Sequence, residues 1–438
     1  MAGQWGYTQF GVPKESGQSA NFVEAIEFAG AGTLLPEDTA VLPTARIVAL
    51  PLTAAILNPA ARLTKGLPTV SYISMPLRYL VTGAAGFIGS TVSRLLLDSG
   101  YEVVGVDDLN DAYDPQLKEW RLAELARSSQ FQFQCLDISD FQAVAGLFDA
   151  SLNVRADPDS PREKTHQYAA VLNLAARAGV RASVANPFRY LRTNAEGTLN
   201  LLELCRRFGV KKFVLASTSS LYGSHNPIPF SEDADTSRPL SPYAASKAAA
   251  ESFAYTYHHL HKLDVSVLRY FTVYGPAGRP DMSVLRFIRQ IAENEPITLF
   301  GNGQQKRDFT YVDDIARGTV AALKPVGFEI INLGSSRATT LDVLVSSIAR
   351  LLGRQPIIHS REAHAADVSA TLADVRKAER LLNWRSQVSL EEGLERTIQW
   401  YWKNRDLALT LSMNDEPRSG QHADSASGAE HQSNGSTR

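Results

Sequence analysis

Three residues with hydroxyl and amine side chains have the spacing of a proton-transfer site. Tyr243 and Lys247 are four positions apart, which places both on one face of a helix. An ammonium beside a phenol favours the phenolate and lowers its pKa from about 10, so the tyrosine can act as a base near neutral pH. Such pairs are also common on helix surfaces. Thr218, just past an apolar run that ends at Ala216, supplies a third group that can share a substrate oxygen with Tyr243.

A glycine-rich segment nearer the start of the chain predicts a dinucleotide site. Gly83, Gly86 and Gly89 recur at three-residue intervals between a predicted strand and a predicted helix. Glycines there let the backbone come close to a pyrophosphate at the positive end of the helix. Asp107 ends the next predicted strand, where a carboxylate accepts hydrogen bonds from the adenosine ribose. Because the same carboxylate repels a 2′-phosphate, NAD is favoured over NADP.

The elements that must position these residues alternate along the chain. The predicted strands are Tyr79–Thr82, Glu102–Val106, Phe131–Cys135, Ala170–Leu174, Lys212–Ala216, Val265–Tyr270 and Glu329–Leu333. The predicted helices include Ser90–Ser99, Thr193–Phe208, Tyr243–His261, Thr340–Leu352 and Leu390–Trp402. This order predicts an α/β fold, a doubly wound parallel sheet whose carboxyl strand ends line the ligand crevice. Asp137 and Ile138 follow the third strand, where they can hold the adenine edge.

Composition excludes several other classes. The chain has 438 residues, of which 44% are hydrophobic and 21% charged, and a net charge of −2 gives no indication of a nucleic acid or membrane partner. Two cysteines without a CxxC motif exclude a disulfide framework and a cysteine metal site, and they fit a reducing, cytoplasmic location. The most apolar stretch, 47–63, contains Pro51 and Pro59 and is too short to span a bilayer.

The chain divides into four predicted regions. Residues 1–74 show no sustained period, and two interpretations stay open: an accessory or spurious extension, or a real but mostly flexible arm. Residues 75–274 form the dinucleotide-binding domain, which a strand near 329–333 rejoins. Residues 275–412 mainly form a smaller α/β lobe. Residues 413–438 contain almost nothing apolar and are expected to be disordered.

From Leu77 to about Trp402, the chain resembles an extended short-chain dehydrogenase/reductase of the NAD-dependent epimerase/dehydratase family. The matching pieces, in order, are TGAAGFIG, Asp107, LAARAGVR (174–181), STSSLYG (217–223), SPYAASK (241–247) and KRDFTYVDDI (306–315). The resemblance implies a Rossmann-type fold with a small C-terminal substrate lobe, tightly bound NAD and a UDP-sugar substrate. It also implies a homodimer that pairs the helices Thr193–Phe208 and Tyr243–His261. Their apolar faces carry Leu199, Leu202 and Cys205 on one and Phe253, Tyr257 and Leu260 on the other.

The family's roles can be carried over residue by residue. Tyr243 is expected to remove a hydroxyl proton as hydride passes to NAD, Lys247 to tune Tyr243 and hold the nicotinamide ribose, and Thr218 to orient the sugar. The residues expected at the cofactor are Gly83, Gly86, Phe87, Ile88, Gly89, Asp107, Asp137, Ile138, Leu174, Ala175, Ala176 and Asn194, with Tyr243 and Lys247.

The residues after Thr218 discriminate between reactions of the family. Dehydratases and decarboxylases usually place an acid there, whereas Ser219 and Ser220 follow here. The run RYFTVYGPAGRPDM (269–282) resembles that of members acting on UDP-glucuronate. Arg279 is expected to engage the uronate carboxylate with its fork, helped by the hydroxyls of Thr218, Ser219, Ser220 and Thr272. The resemblance therefore implies 4-epimerisation of UDP-glucuronate to UDP-galacturonate through a 4-keto intermediate.

Other positions are assigned through the same resemblance. Arg307 matches an arginine that contacts the UDP diphosphate, and Arg181 is a second candidate for that region. Asp367 is a candidate for the uridine ribose, although Ala366 stands where glycine is usual. Arg177 stands where a glutamine is common in family members that act on UDP-glucuronate. This replacement is expected to affect the nicotinamide pocket.

Three alternatives remain from the sequence. One is epimerisation of neutral UDP-glucose and UDP-galactose, against which Thr272 and Arg279 argue. The second is decarboxylation of UDP-glucuronate, which would release CO₂ and a UDP-pentose. The third is a non-catalytic Rossmann protein that senses NAD; such proteins commonly lose the tyrosine or lysine, and both are present here.

The pattern of apolar residues becomes regular at Met75, and this leads to a testable prediction. A protein that begins at Met75 should be soluble and as active as the full chain, because the first predicted strand starts immediately afterwards. Expression yield, gel filtration and specific activity of the two forms check this. Aggregation or loss of activity in the shortened protein would show that residues 1–74 contribute to the folded enzyme.

Overall fold

The structure is a computed structural model that describes residues 76–154, 168–362 and 368–413. These residues belong to one compact unit. The predicted extension at 1–74 lies outside the described residues, as does the predicted tail apart from Met413.

In the described residues, strands alternate with helical segments from β1 to β6, whereas later strands and helices also follow one another in pairs or more. The strands are β1 (Arg78–Thr82), β2 (Glu102–Asp107), β3 (Phe131–Cys135), β4 (Ala170–Asn173), β5 (Lys212–Thr218), β6 (Asp264–Tyr270), β7 (Thr272–Tyr274), β8 (Ile297–Phe300), β9 (Lys306–Tyr311), β10 (Phe328–Leu333), β11 (Ala338–Thr340) and β12 (Ile358–Arg361). The helices are α1 (Phe87–Asp98), α2 (Pro115–Leu125), α3 (Phe141–Val154), α4 (Val180–Ala185), α5 (Pro187–Tyr190), α6 (Gly197–Phe208), α7 (Pro242–His261), α8 (Ser283–Ala292), α9 (Val312–Ala321), α10 (Leu341–Leu352), α11 (Arg376–Leu382), α12 (Leu390–Lys403) and α13 (Arg405–Thr410). A π-helical segment (Leu191–Glu196) leads into α6, and a 3₁₀ turn (Ser219–Tyr222) follows β5.

Seven strands form one parallel sheet in the order β10-β6-β5-β4-β1-β2-β3. The order reverses between β1 and β4, which is the switch point where a crevice opens at the carboxyl ends. All seven predicted strands are confirmed, with shifts of one or two residues at their ends. The largest shift is in β5, which continues to Thr218, so this residue ends the strand instead of following it.

Helices cover both faces of the sheet, as the sequence predicts. Alternate residues of β1 point to opposite sides: Val81 joins a core with α1 and α9, and Leu80 joins a core with α6 and α7. Both side chains are fully buried. The doubly wound α/β class is therefore confirmed.

The C-terminal part of the chain builds the smaller lobe around its own apolar core. A three-stranded sheet (β11-β9-β7) and the parallel pair β12–β8 pack with α8, α10 and α12. Buried Asp308 of β9 organises the adjoining loops, because its carboxylate accepts hydrogen bonds from the backbone N–H groups of Ser335 (2.6 Å), Ser336 (3.0 Å) and Ala373 (3.0 Å). Not all of this region belongs to the small lobe: residues of α9 and α11, such as Ile315 and Ala378, lie in the core of the large sheet.

Candidate active site

The turn between β1 and α1 is built for close backbone contact. Gly83 has φ of +69°, and a Cβ at this position would lie 2.7 Å from the backbone nitrogen of Ala175. A Cβ on Gly89 would lie 2.0 Å from the Gly83 carbonyl oxygen. Both positions therefore require glycine. The first turn of α1 carries no acidic side chain, so its N–H groups are suited to a pyrophosphate, as predicted for this segment.

Asp107 lies at the carboxyl end of β2 and is buried. Its Oδ1 accepts hydrogen bonds from the backbone N–H of Leu109 (2.9 Å) and from Nζ of Lys118 (3.1 Å). These bonds fix the carboxylate at the end of β2, and its contact with the adenosine ribose stays a prediction because Asp107 does not line the central cavity. Lys118 is buried on α2 and was missed in the sequence, since a lysine on an amphipathic helix is usually a surface residue.

The residues after β3 and β4 divide between the cavity wall and the core. Asp137 is exposed and its carboxylate caps the following turn by accepting from Ser139 N–H (2.8 Å). The Ile138 side chain is buried in the core, so only its backbone can face an adenine. Leu174 and Ala176 line the central cavity. Ala175 donates its N–H to the Thr82 hydroxyl (3.2 Å) and packs against the core.

Asn194 corrects one expectation. It is fully buried, and its side chain bonds protein groups instead of lining the cavity. Its Oδ1 accepts from Arg177 N–H (2.9 Å), and its Nδ2 donates to the Arg177 carbonyl (3.0 Å) and to Ser246 Oγ (2.9 Å). Asn194 lies in the π-helical segment, and it ties the wall beyond β4 to α7. Irregular turns of this kind are frequent at functional sites.

The predicted catalytic residues come together at the carboxyl end of β5. Ser241 caps α7 by accepting from Ala244 N–H (3.2 Å), which places Tyr243 and Lys247 one turn apart facing the cavity. Thr218 also lines the cavity. Lys247 is buried, and its Nζ donates to the Ala216 carbonyl (2.8 Å). Three groups that are distant in sequence thus share one wall of one cavity.

The ionisation of Tyr243 differs from the expectation. Burial of its hydroxyl raises the pKa of Tyr243, against a hydrogen bond with Thr218 and the positive charge of Arg279, which lower it. Burial also lowers the pKa of Lys247 to about 8, with the negative charge of Glu251 acting in the opposite direction. The protein groups alone therefore do not turn the phenol into a neutral-pH base, because desolvation outweighs their charges.

The predicted substrate residues border the same cavity, which has a volume of about 620 Å³. The described residues on this wall are Thr218, Ser219, Ser220, Thr272, Arg279 and Arg307, and Arg181 and Arg177 also line it. Asp367 lies outside the described residues. The Arg181 guanidinium stacks on the Phe300 ring at 3.9 Å from its centroid.

Arg279 is already engaged within the protein. Its Nε and Nη2 bond the two carboxylate oxygens of Asp281 at 3.0 and 2.5 Å, and its guanidinium lies over the Tyr113 ring. The expectation of a free fork for a substrate carboxylate is thus corrected: the two-pronged edge is paired with Asp281, and one N–H of Nη1 donates to the Ala178 carbonyl at 3.4 Å. One further N–H on each of Nη1 and Nη2 is left for a ligand.

Arg121 joins the two sides of the crevice and was also missed in the sequence. It is buried, and its guanidinium donates to the Ala85 carbonyl in the glycine turn (3.0 Å) and to the Ala277 carbonyl in the small-lobe loop (2.7 Å). It also donates to the Tyr113 hydroxyl (2.7 Å). No local sequence signal identifies such an arginine, because its two carbonyl partners come from distant loops.

The described residues contain neither a membrane-spanning helix nor a metal-binding cluster. None of the helices in the described ranges is both long and apolar enough to cross a membrane. Within those ranges, no group of three His, Cys, Asp or Glu side chains is arranged to hold a metal ion.

Comparison with known proteins shows which of them this chain is similar to. The chain is 53% identical over 336 residues to a UDP-glucuronate 4-epimerase of Thermodesulfobacterium geofontis, which covers 76% of this chain and 99% of that relative. A solved UDP-glucuronic acid 4-epimerase from Bacillus cereus, in complex with UDP-glucuronic acid and NAD, is 36% identical with a TM-score of 0.67, covering 75% and 99% of the two chains. A UDP-glucose 4-epimerase from Thermotoga maritima, solved with UDP-glucose, is 32% identical with a TM-score of 0.66, covering 75% and 100%.

The family profile described as "NAD dependent epimerase/dehydratase family" matches residues 79–334. The matched segment begins in β1 and ends just past β10, so it spans the strands of the large sheet and the glycine turn that fits NAD. This chain belongs to the NAD-dependent epimerase/dehydratase family.

Proposed function

We propose that this chain catalyses the NAD-dependent 4-epimerisation of UDP-glucuronate to UDP-galacturonate. One observation carries the choice of reaction. Among the described residues that line the cavity, Asp281 is the only acid, and it is paired with Arg279. Proton transfer at C5, as in a dehydration, needs a free acid or base near that carbon. Apart from Asp281, the ionisable side chains of the described lining are tyrosines, arginines and Lys247, with no unpaired carboxylate among them, which supports return of hydride to the opposite face of C4.

The chain's own residues then have defined tasks. Tyr243 takes the proton of the C4 hydroxyl and later returns it, and Thr218 donates or accepts a hydrogen bond at the same oxygen. Lys247 is placed to bind the nicotinamide ribose and to supply positive charge. NAD, held by the glycine turn and by Lys247, would supply the hydride acceptor and donor for C4.

The charge of the cavity supports an anionic sugar nucleotide. Against one paired acid, the described lining carries several basic side chains: Arg177, Arg181, Arg189, Arg279, Arg286, Arg307 and Lys247. A nucleoside diphosphate requires part of this positive charge. The hydroxyls of Ser219, Ser220 and Thr272 lie on the sugar side near Thr218, where they can hold a carboxylate. Steady hydrogen bonding there also limits rotation of the carboxylate towards the geometry for loss of CO₂.

A second candidate has one specific observation in its favour. Asp281 already holds the two-pronged edge of Arg279, so a uronate must use the other N–H groups of Nη1 and Nη2 or displace Asp281. A neutral sugar needs neither. Epimerisation of UDP-glucose and UDP-galactose is therefore the alternative, and relative kcat/KM on the two nucleotide sugars decides between them.

We further propose that the enzyme is a cytoplasmic homodimer. Both cysteines are free thiols, which suits a reducing compartment. Of the predicted contact residues, Leu202 and Cys205 are fully buried within the chain, whereas Leu260 of α7 is 62% exposed. Further exposed apolar side chains are Val184 (57%), Phe188 (80%) and Leu191 (54%), on α4, α5 and the π-helical segment. They are suited to pack on a second copy.

The first prediction concerns the base. Tyr243→Phe should keep NAD and UDP-glucuronate binding but lower kcat by about 10²–10⁴-fold, because the phenol oxygen is the group that exchanges the proton. Product formation followed by NMR measures this. Tyr255→Phe, an exposed tyrosine on the same helix, is the matched control. A loss of less than about tenfold in Tyr243→Phe would exclude it as the base.

The second prediction concerns substrate choice. Arg279→Ala should reduce kcat/KM for UDP-glucuronate about 10- to 150-fold more than for UDP-glucose, as expected for a charged hydrogen bond worth about 1.5–3 kcal/mol. Arg279→Ala also leaves the Asp281 carboxylate without its partner, and its negative charge would repel the uronate carboxylate. The double variant Arg279→Ala/Asp281→Asn removes that repulsion and should recover part of the loss. Equal losses on both sugars would make Arg279 structural and favour the neutral substrate.

The third prediction concerns assembly. Phe188→Asp should convert a dimer into a monomer, because a charge replaces the most exposed large apolar side chain of the proposed contact. Light scattering at micromolar concentration measures the mass. Val343→Asp places the same charge on a half-exposed apolar position of α10 and should leave the dimer intact. A monomeric wild-type protein, or a dimeric Phe188→Asp, would refute this surface.

A further inference from the structure

A buried carboxylate lies directly behind the catalytic pair. Glu251 is one turn beyond Lys247 on α7, and its side chain is 9% exposed. Its Oε1 accepts hydrogen bonds from Ser217 Oγ (2.5 Å) and Arg269 Nε (3.0 Å), and its Oε2 accepts from Arg269 Nη2 (2.7 Å). The Arg269 side chain is 3% exposed. Both oxygens of the Glu251 carboxylate therefore accept hydrogen bonds from residues near the ends of β5 and β6.

These contacts attach to the strand residues that hold the catalytic groups. Ser217 stands between Ala216, whose carbonyl accepts the Lys247 Nζ, and Thr218, which ends β5. Ser217 is also the register partner of Arg269 across β5 and β6. One carboxylate on α7 therefore binds adjacent positions on both strands. A shift of α7 relative to β5 would move Lys247 away from the Ala216 carbonyl and Tyr243 away from Thr218.

The same carboxylate supplies charge to Lys247. The Nζ of Lys247 bonds a neutral carbonyl, and burial lowers its pKa to about 8 while the charge of Glu251 acts against that lowering. Removing this charge would lower the pKa further. An opposite charge one helical turn away is within the range that shifts a pKa by about one unit or more.

The other charged and titratable groups around this cluster come from several elements. On α7, Tyr243 faces the cavity on the far side of Lys247. Arg269 of β6 is paired with Glu251, lies over the Tyr222 ring at 4.9 Å, and donates to the backbone carbonyl of Glu232 (3.2 Å). Tyr190 of α5 lies against Tyr243, with ring centroids 6.2 Å apart, and the charge of Arg279 acts on both tyrosines.

We propose that Glu251 is a positioning residue for the epimerisation: it holds the ends of β5 and β6 against α7 and keeps Lys247 aligned and protonated beside Tyr243. The inference rests on the proposed function for its kinetic readout. Glu251 acts through Lys247 and Ser217, without contact to the substrate.

A second buried ion pair on the same two strands provides a control for this role. At the opposite ends of the same two strands, buried Lys212 pairs with Asp264 at 2.5 Å, and these residues are also register partners. Asp264 additionally accepts from the backbone N–H groups of Val326 (2.9 Å) and Gly327 (2.7 Å). This pair also joins β5 to β6, but Lys212 bonds Asp264, Ser266 and Lys324 and none of the predicted catalytic residues. A substitution that breaks the Lys212–Asp264 pair therefore tests how a loss of stability alone affects the activity.

The experiment compares Glu251→Gln with Asp264→Asn in the full-length, NAD-loaded protein. The first measurement is the pH profile of kcat on UDP-glucuronate. Glu251→Gln should move the alkaline limb, where Lys247 loses its proton, to lower pH by about one unit. Its kcat should then be about tenfold below wild type at about pH 9. KM should change little, and Asp264→Asn should keep the wild-type limb.

A second measurement needs no substrate. In protein labelled with ¹³C at the lysine Cε, the Lys247 resonance is assigned by its loss in Lys247→Met, and its chemical shift is followed against pH. A lower midpoint in Glu251→Gln supports the proposal even if UDP-glucuronate is not the substrate. Absence of epimerisation in the wild type would instead refute the proposed function alone.

A double variant covers the case in which Glu251→Gln fails to fold because Arg269 is left unpaired. Glu251→Gln/Arg269→Met removes both charges, and its Lys247 midpoint should still lie below that of the wild type. A wild-type midpoint in the variants that fold would overturn the proposal, since Glu251 would then be only a partner for Arg269. An equal shift in Asp264→Asn would overturn it as well, because any loss of stability would then suffice.

Discussion

A buried cation must have a partner, and this requirement shapes the whole crevice. Each buried basic side chain at the carboxyl ends of the strands is held by a specific acceptor. Lys118 donates to Asp107, Lys247 to the Ala216 carbonyl and Arg269 to Glu251. Leaving any of them unpaired would be strongly destabilising, so their partners fix where the surrounding strands and helices can lie. The groups that face the ligands are positioned as a consequence.

Arg121 extends the same principle to the join between the large sheet and the small lobe. Its donors reach the glycine turn at Ala85 and the loop at Ala277, so the cofactor side and the sugar side of the crevice share one buried guanidinium. The loop that contains Ala277 also carries Arg279. Because both carbonyls need this donor, the two loops cannot move independently without leaving a buried charge unsatisfied.

The chemistry of the site follows from what its wall offers. Hydroxyls and cations line the cavity in which we propose that the sugar binds, and the lone acid of the described lining is neutralised by Arg279. Such a wall fits the proposed proton exchange at one oxygen through Tyr243, and its described residues include no unpaired carboxylate for a neighbouring carbon. Burial keeps the phenol protonated in the protein alone. The positive charge of Arg279 acts in the opposite direction, but it does not outweigh burial.

The sequence by itself determined the fold class, and it predicted many of the residues that line the candidate site, because both depend on local signals. The period of the apolar runs located the strands of the large sheet, and the spacing of Gly83, Gly86 and Gly89 and of Tyr243 and Lys247 identified two sites within single elements. Motif resemblance added the family. These signals act over a few residues, so one chain segment is enough to read them.

Only the tertiary structure decided which polar groups meet across the fold. It showed the Arg279 fork paired with Asp281, Asn194 turned into the wall, and Ile138 directed into the core. It also brought Glu251 of α7 to Ser217 and Arg269 on two strands. Each of these outcomes depends on desolvation and on partners distant in the chain. A linear pattern contains neither, because burial is a property of the packed molecule.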